Sequence, residues 1–140
     1  MTPRLVFVYG TLKRPYGNSR LLETSSSLVG EAVTVEKFLL VNCGFPYMIP
    51  EHMLTGPRRA LTARVAGQVW EVQDEATMAS LDRLEGVGYG HYKHQVVQVC
   101  VEGQFWASAQ AYVPCDDDVQ DLPMCEKIQW GDEEVFQWSR

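Results

Sequence analysis

The sequence lacks the spacings that usually announce a metal or a redox centre. Its four cysteines, Cys43, Cys100, Cys115 and Cys125, form no Cys-x-x-Cys pair, which removes zinc-ribbon and thioredoxin-type readings. Cys100 lies inside an apolar run and reads as a small core residue. His91 and His94 stand three apart on an extended segment, where such residues face opposite sides, and no carboxylate or cysteine completes a set with them. Asp116-Asp117-Asp118 has no calcium-loop spacing after it and reads as a solvated turn. Positive charge is scarce: 12 basic against 18 acidic residues leave a formal net charge of −6. That balance argues against nucleic acid or an anionic membrane as the main partner. No apolar run approaches the roughly 20 residues that cross a bilayer. Met1-Thr2-Pro3-Arg4 leads into an extended segment without a signal-peptide core. The expectation is a soluble, cytoplasmic protein with reduced thiols. Internal repeats and low-complexity segments are missing too.

What remains is the composition of an ordinary globular chain. Its 140 residues are 46% hydrophobic and 21% charged, enough for one domain around one core. We expect a single domain over residues 1–140, with 119–140 as a C-terminal tail whose aromatics Trp130, Phe136 and Trp138 pack on the domain or at an interface.

The chain is organised around Val6-Phe7-Val8-Tyr9-Gly10-Thr11-Leu12-Lys13-Arg14. β-branched and aromatic residues alternate from Val6 to Tyr9 and favour a strand. Gly10 ends it and gives either positive φ or room for close approach. Backbone N–H groups around such a turn can receive a carboxylate or an oxyanion; the plainer reading is a strand with an ordinary turn. Lys13 and Arg14 read as solvated. A short helix is expected over Leu21 to Glu23, a strand from Leu28 to Val35 with a bulge at Gly30, and another from Phe38 to Val41. In Asn42 to Tyr47, Gly44 and Pro46 break regular structure while Phe45 and Tyr47 seek burial, so this loop is a candidate pocket wall. Glu51 to Arg59 reads as irregular. Val65 to Val72 is a strong strand with neither face purely apolar.

Asp74 is placed to cap a helix from Glu75 to Glu85. Met78, Leu81 and Glu85 fall at i, i+3 and i+7, so they share the core-facing side. A buried carboxylate at a helix C-terminus is disfavoured by the dipole and by lost hydration; both raise its pKa and suit it to proton transfer near neutral pH. If the helix ends earlier, Glu85 turns into solvent. The glycine-rich loop from Gly86 to Gly90 follows a helix, whereas a dinucleotide fingerprint follows a strand. Lys93 to Val101 and Phe105 to Val113 form the clearest hairpin, turning at Glu102-Gly103-Gln104.

Taken together, Tyr9-Gly10-Thr11-Leu12, Gly67-Gln68-Val69-Trp70-Glu71-Val72 and Leu81-Asp82-Arg83-Leu84-Glu85-Gly86 with Tyr92 resemble the γ-glutamylcyclotransferase-like family. The resemblance runs from Leu5 to Val113. It implies an α+β fold, a small mixed β-barrel flanked by helices. It implies an enzyme that releases 5-oxoproline from a small γ-glutamyl substrate without metal or cofactor. On the same basis Glu85 is the expected catalytic acid/base. The turn of Tyr9, Gly10, Thr11 and Leu12 holds the carboxylate end of the substrate, and Tyr92 lines the pocket. Two other classes stay open: a non-catalytic binding module using the same pocket, and an interaction protein that self-associates through Trp130 and Trp138.

Overall fold

A computed structural model describes residues 4–10, 20–23, 26–42, 44–85, 91–116 and 118–138. Its centre is a closed barrel in which five strands follow the order β1-β5-β2-β6-β7. These are β1 (Arg4–Val8), β2 (Ser26–Thr34), β5 (Ala66–Val72), β6 (Tyr92–Val101) and β7 (Phe105–Pro114). All neighbours are antiparallel except β1 and β7, which close the barrel in parallel through Val6 and Gln110. The barrel is therefore mixed, and with its flanking helices it has the expected α+β architecture.

The near-continuous apolar run of β1 has a direct cause: both of its faces are covered. Phe7 and the following Tyr9 pack into the main core with Val69, Val97, Val99 and Ala111. Val6 and Val8 pack outward against Leu22, Trp70, Met78 and Leu81. The second layer comes from α1 (Arg20–Glu23) and α2 (Glu75–Leu84). β5 is sandwiched in the same way, which explains why its alternation was blurred. Gly67 is obligatory there: a Cβ would lie 2.4 Å from the Val8 carbonyl oxygen and 2.7 Å from Phe7 Cζ. The bulge expected at Gly30 is present as a register shift between Leu28 and Gly30 on the β5 side. The β6–β7 hairpin matches its alternation. Val97, Val99 and Val101 are fully buried and Val96 is exposed. Its turn uses positive φ at Glu102 and Gly103.

Asp74 caps α2 as its position demands. Its Oδ1 accepts the Thr77 N–H at 2.6 Å, and its Oδ2 accepts the Thr77 hydroxyl at 3.0 Å. Met78 and Leu81 are buried while Ala79 and Arg83 face solvent. Burying each of those two apolar side chains contributes about 1.5–3 kcal/mol, so the docking of α2 rests largely on them. Asp74→Ala is expected to lower unfolding stability by about 1 kcal/mol, read as a lower urea midpoint with unchanged slope.

Three segments differ from expectation. Pro46 does not break regular structure. It begins β4 (Pro46–Pro50), which pairs with β3 (Phe38–Asn42) in a separate two-stranded sheet. Prolines fit at both ends of β4 because a terminal residue on a two-stranded ribbon can do without its N–H. Glu51 to Arg59, expected to be irregular, falls within two short 3₁₀ helices, Glu51–Met53 and Gly56–Leu61, and the residues between them. The tail forms a hairpin of β8 (Lys127–Trp130) and β9 (Glu133–Phe136). Phe136 and Trp138 join the main core, each 1% exposed, so Trp138 is not available for self-association. Its indole N–H donates to Asn42 Oδ1 at 3.1 Å, and that oxygen also accepts the Gly44 N–H. Among the described residues, no helix is long and apolar enough to cross a membrane.

Candidate active site

Where β1 ends, the wall of the barrel opens into a cavity of about 300 Å³. Tyr9 and Gly10 line it from the strand end, Pro46 and Tyr47 from β4, Glu85 from the end of α2, and Tyr92 and Tyr112 from β6 and β7. Four residues singled out in the sequence thus meet in one place: Tyr9, Gly10, Glu85 and Tyr92. Thr11 and Leu12 lie outside the described residues, as do Lys13, Arg14 and the loop at 86–90.

The helix stops one residue before the sequence suggested. Leu84 is its last member and Glu85 is the C-cap, with helical φ and ψ and its N–H bonded to the Leu81 carbonyl at 3.0 Å. The i+7 relation to Met78 therefore survives, and Glu85 faces inward. Burial raises its carboxyl from the ordinary 4.5 to about 7. A carboxyl titrating there is divided between acid and base at neutral pH, as general acid/base work requires.

Around Glu85 the wall is aromatic and tightly bonded. Tyr9 donates its hydroxyl to the Tyr112 carbonyl and accepts the Met48 N–H at 3.3 Å. Burial, and then the nearby Glu85 charge, hold the Tyr9 phenol neutral, its pKa raised well above the ordinary value. Tyr92 donates to the Pro46 carbonyl at 3.1 Å and stacks on Tyr47 with ring centroids 5.3 Å apart. Phe45 meets Tyr47 edge-on at 5.5 Å. The expectation that residues 42–47 wall a pocket holds for Phe45, Pro46 and Tyr47. Gly10 is needed for close approach, since a Cβ there would come within 2.9 Å of Pro46 Cγ.

Tyr112 was missed. Its alternation in β7 reads as core, and it is buried, but its hydroxyl reaches Asp82 Oδ1 at 2.7 Å. His91 also lines the cavity. Among the described residues, no three His, Cys, Asp or Glu side chains gather as a metal site.

Comparison with known proteins gives a consistent result. The sequence profile described as "Gamma-glutamyl cyclotransferase, AIG2-like" matches residues 6–132. A gamma-glutamylcyclotransferase family protein, ytfP, of Citrobacter rodentium is 30% identical over 132 residues, covering 94% of this chain and 98% of that one. A putative gamma-glutamylcyclotransferase of Arabidopsis thaliana is 36% identical over 103 residues, 70% of this chain; the match spans only 52% of the Arabidopsis protein. The crystal structure of an AIG2-like protein from Mus musculus superposes with a TM-score of 0.72 at 26% identity, covering 100% of this chain and 98% of that one.

Proposed function

The chain belongs to the gamma-glutamyl cyclotransferase, AIG2-like family, and from that premise we propose that it cyclises a γ-glutamyl amide to 5-oxoproline and a free amine or amino acid, with Glu85 as the general acid/base. The observation that carries the proposal is the placement of Glu85. It is a half-buried carboxyl, held near 7 by lost hydration, on the wall of the cavity at the end of β1.

The substrate brings its own nucleophile. Its α-amino nitrogen bonds to the γ-carbonyl carbon and closes a five-membered ring, and the bond from that carbon to the departing nitrogen breaks. Because the attack is intramolecular, the cavity acts chiefly by selecting the folded conformer. Glu85 takes a proton from the attacking amine and returns one to the departing nitrogen, so it ends each turnover as it began. The strand end at Tyr9 and Gly10 leads to the segment we assign to the substrate carboxylate, with Thr11 and Leu12 included on the family resemblance alone; backbone N–H donors suit that task. Tyr92, stacked and bonded, is a wall for the glutamyl chain.

The test is 5-oxoproline release from γ-glutamyl-alanine, γ-glutamyl-ε-lysine and glutathione. Release from at least one is expected, and the preferred substrate fixes the leaving group. Binding of all three by a folded protein, with no release from any, would replace the enzyme with a binding module.

A further inference from the structure

The reaction assigns a task to Glu85 but says nothing of what fixes the end of α2 that carries it. Asp82 lies one turn before Glu85 on that helix, and two residues of barrel strands reach the same oxygen of it. The Tyr112 hydroxyl donates to Asp82 Oδ1 at 2.7 Å, and His94 Nε2 lies 2.7 Å from that oxygen. His94 also meets the Tyr112 ring edge-on, with centroids 5.2 Å apart. Tyr112 in turn holds the other side of the cavity, because its carbonyl receives the Tyr9 hydroxyl. One residue of β7 is thus bonded through its side chain to the helix that ends in Glu85, and through its backbone to the strand end that opens the turn.

We propose that Asp82 and Tyr112 are a positioning pair that fixes Glu85 relative to the strand end at Tyr9 and Gly10. The inference rests on the proposed reaction for its consequence, though not for its geometry. The ordinary explanation for a tyrosine–aspartate contact beside a helix is surface stability. Two features count against it here. The Asp82 and His94 side chains are 35% and 37% exposed, but Tyr112 itself is 3% exposed and lines the cavity, so the contact joins the helix to the cavity wall rather than to another surface group. Burial, and then the Asp82 carboxylate that accepts the Tyr112 proton, hold that phenol neutral, its pKa raised. Tyr112 is therefore not available as a second acid, which leaves proton transfer in the cavity to Glu85.

Loss of the tether frees the last turn of α2 and admits water to Glu85. The titratable groups around that carboxyl are Tyr9 from β1, Tyr47 from β4, His91 and Tyr92 at the start of β6, Tyr112 from β7 and Asp82 on α2 itself. None is removed in Tyr112→Phe except the tether hydroxyl, while the ring and the carbonyl that binds Tyr9 remain. The experiment follows the Glu85 side-chain carboxyl by carbon-13 NMR titration in the full chain. In Tyr112→Phe and in Asp82→Ala the midpoint should fall from about 7 toward 4.5, and the double variant should fall no further. Asp82→Asn keeps an acceptor for the tyrosine proton, so most of the wild-type behaviour should return. Under the same logic kcat should drop roughly 10–100-fold in the two disruptive variants, with KM nearly unchanged.

An unmoved midpoint in folded Tyr112→Phe overturns the proposal. The titration needs no turnover, which separates the two readings. A wild type that releases no 5-oxoproline, with a midpoint that moves in the variants, leaves the tether standing and removes the reaction. Full release with an unmoved midpoint does the reverse.

Discussion

Glu85→Gln is expected to lose turnover by a factor of roughly 10²–10⁴, the usual contribution of a positioned acid/base, and at the same time to gain stability at alkaline pH. The two effects share one cause. Burial holds the Glu85 carboxyl near 7, whereas in the unfolded chain it titrates near 4.5. The folded state therefore binds the proton more tightly, and stability linked to this group is complete below about pH 4.5. It is lost as pH rises through 7, amounting to about 3 kcal/mol once both states are ionised. Glutamine copies the shape of the neutral acid and does not ionise. Wild type and variant should melt together near pH 4, and the variant should be the more stable at pH 8.5. The check is a pair of urea titrations at those two pH values beside the 5-oxoproline assay. A variant that keeps its turnover rules out Glu85 as the acid/base. A stability difference that does not change with pH would show that Glu85 is not buried as described.

Gly67→Ala is expected to be the most damaging single methyl addition at a described glycine. The new carbon would sit 2.4 Å from the Val8 carbonyl oxygen and 2.7 Å from Phe7 Cζ. Phe7 is fully buried, so its ring has no solvent to swing into, and Val8 is fixed in register opposite Gln68. Relief requires β1 to move off β5. Overpacking of a filled core costs about 1–3 kcal/mol, and the backbone clash puts this case at the upper end or beyond. The displaced strand end carries Tyr9 and Gly10, so residual folded protein should also lose substrate affinity. Urea midpoint and KM report the two effects. By contrast Gly30→Ala meets the side chain of Glu102, which can move, and should cost much less. Equal destabilisation by the two substitutions would remove the argument from the rigid neighbour.

The parts of the fold that were legible are those where a local pattern had one meaning. The valines of β6 alternate, and one face of that strand is core. Asp74, Met78 and Leu81 marked both the start of α2 and its buried side. Elsewhere local chemistry pointed the wrong way. Pro46 suggested a break, because the sequence does not reveal that the ribbon needs no donor there. The β8–β9 hairpin carried a usable signal that went unread: Gly131-Asp132 is a two-residue turn between the paired residues Trp130 and Glu133, with φ of +65° at Gly131. β8 alternates over Lys127 to Trp130, but for four residues only, and β9 reads Glu133-Glu134-Val135-Phe136 with no alternation. For the cavity, Glu85, Tyr9 and Gly10 were legible as lining residues because a helix end and a strand end are local events. Tyr112 was not, since its meeting with Asp82 spans 30 residues and exists only once the order of strands in the barrel is known.

That strand order also bears on how the protein comes into being. β1 is made well before its barrel partners: its antiparallel partner begins at residue 66 and its parallel partner pairs at residue 110. Until those residues have left the ribosome, an apolar ribbon from Leu5 to Tyr9 has no partner on either edge. The cavity wall at 42–47 waits longer still, for Trp138 to reach Asn42 across 96 positions of chain. Pairings so distant in sequence make for slow folding. Chains still waiting for those partners are open to association through β1, and a chaperone that shields Val6 to Val8 should raise the yield.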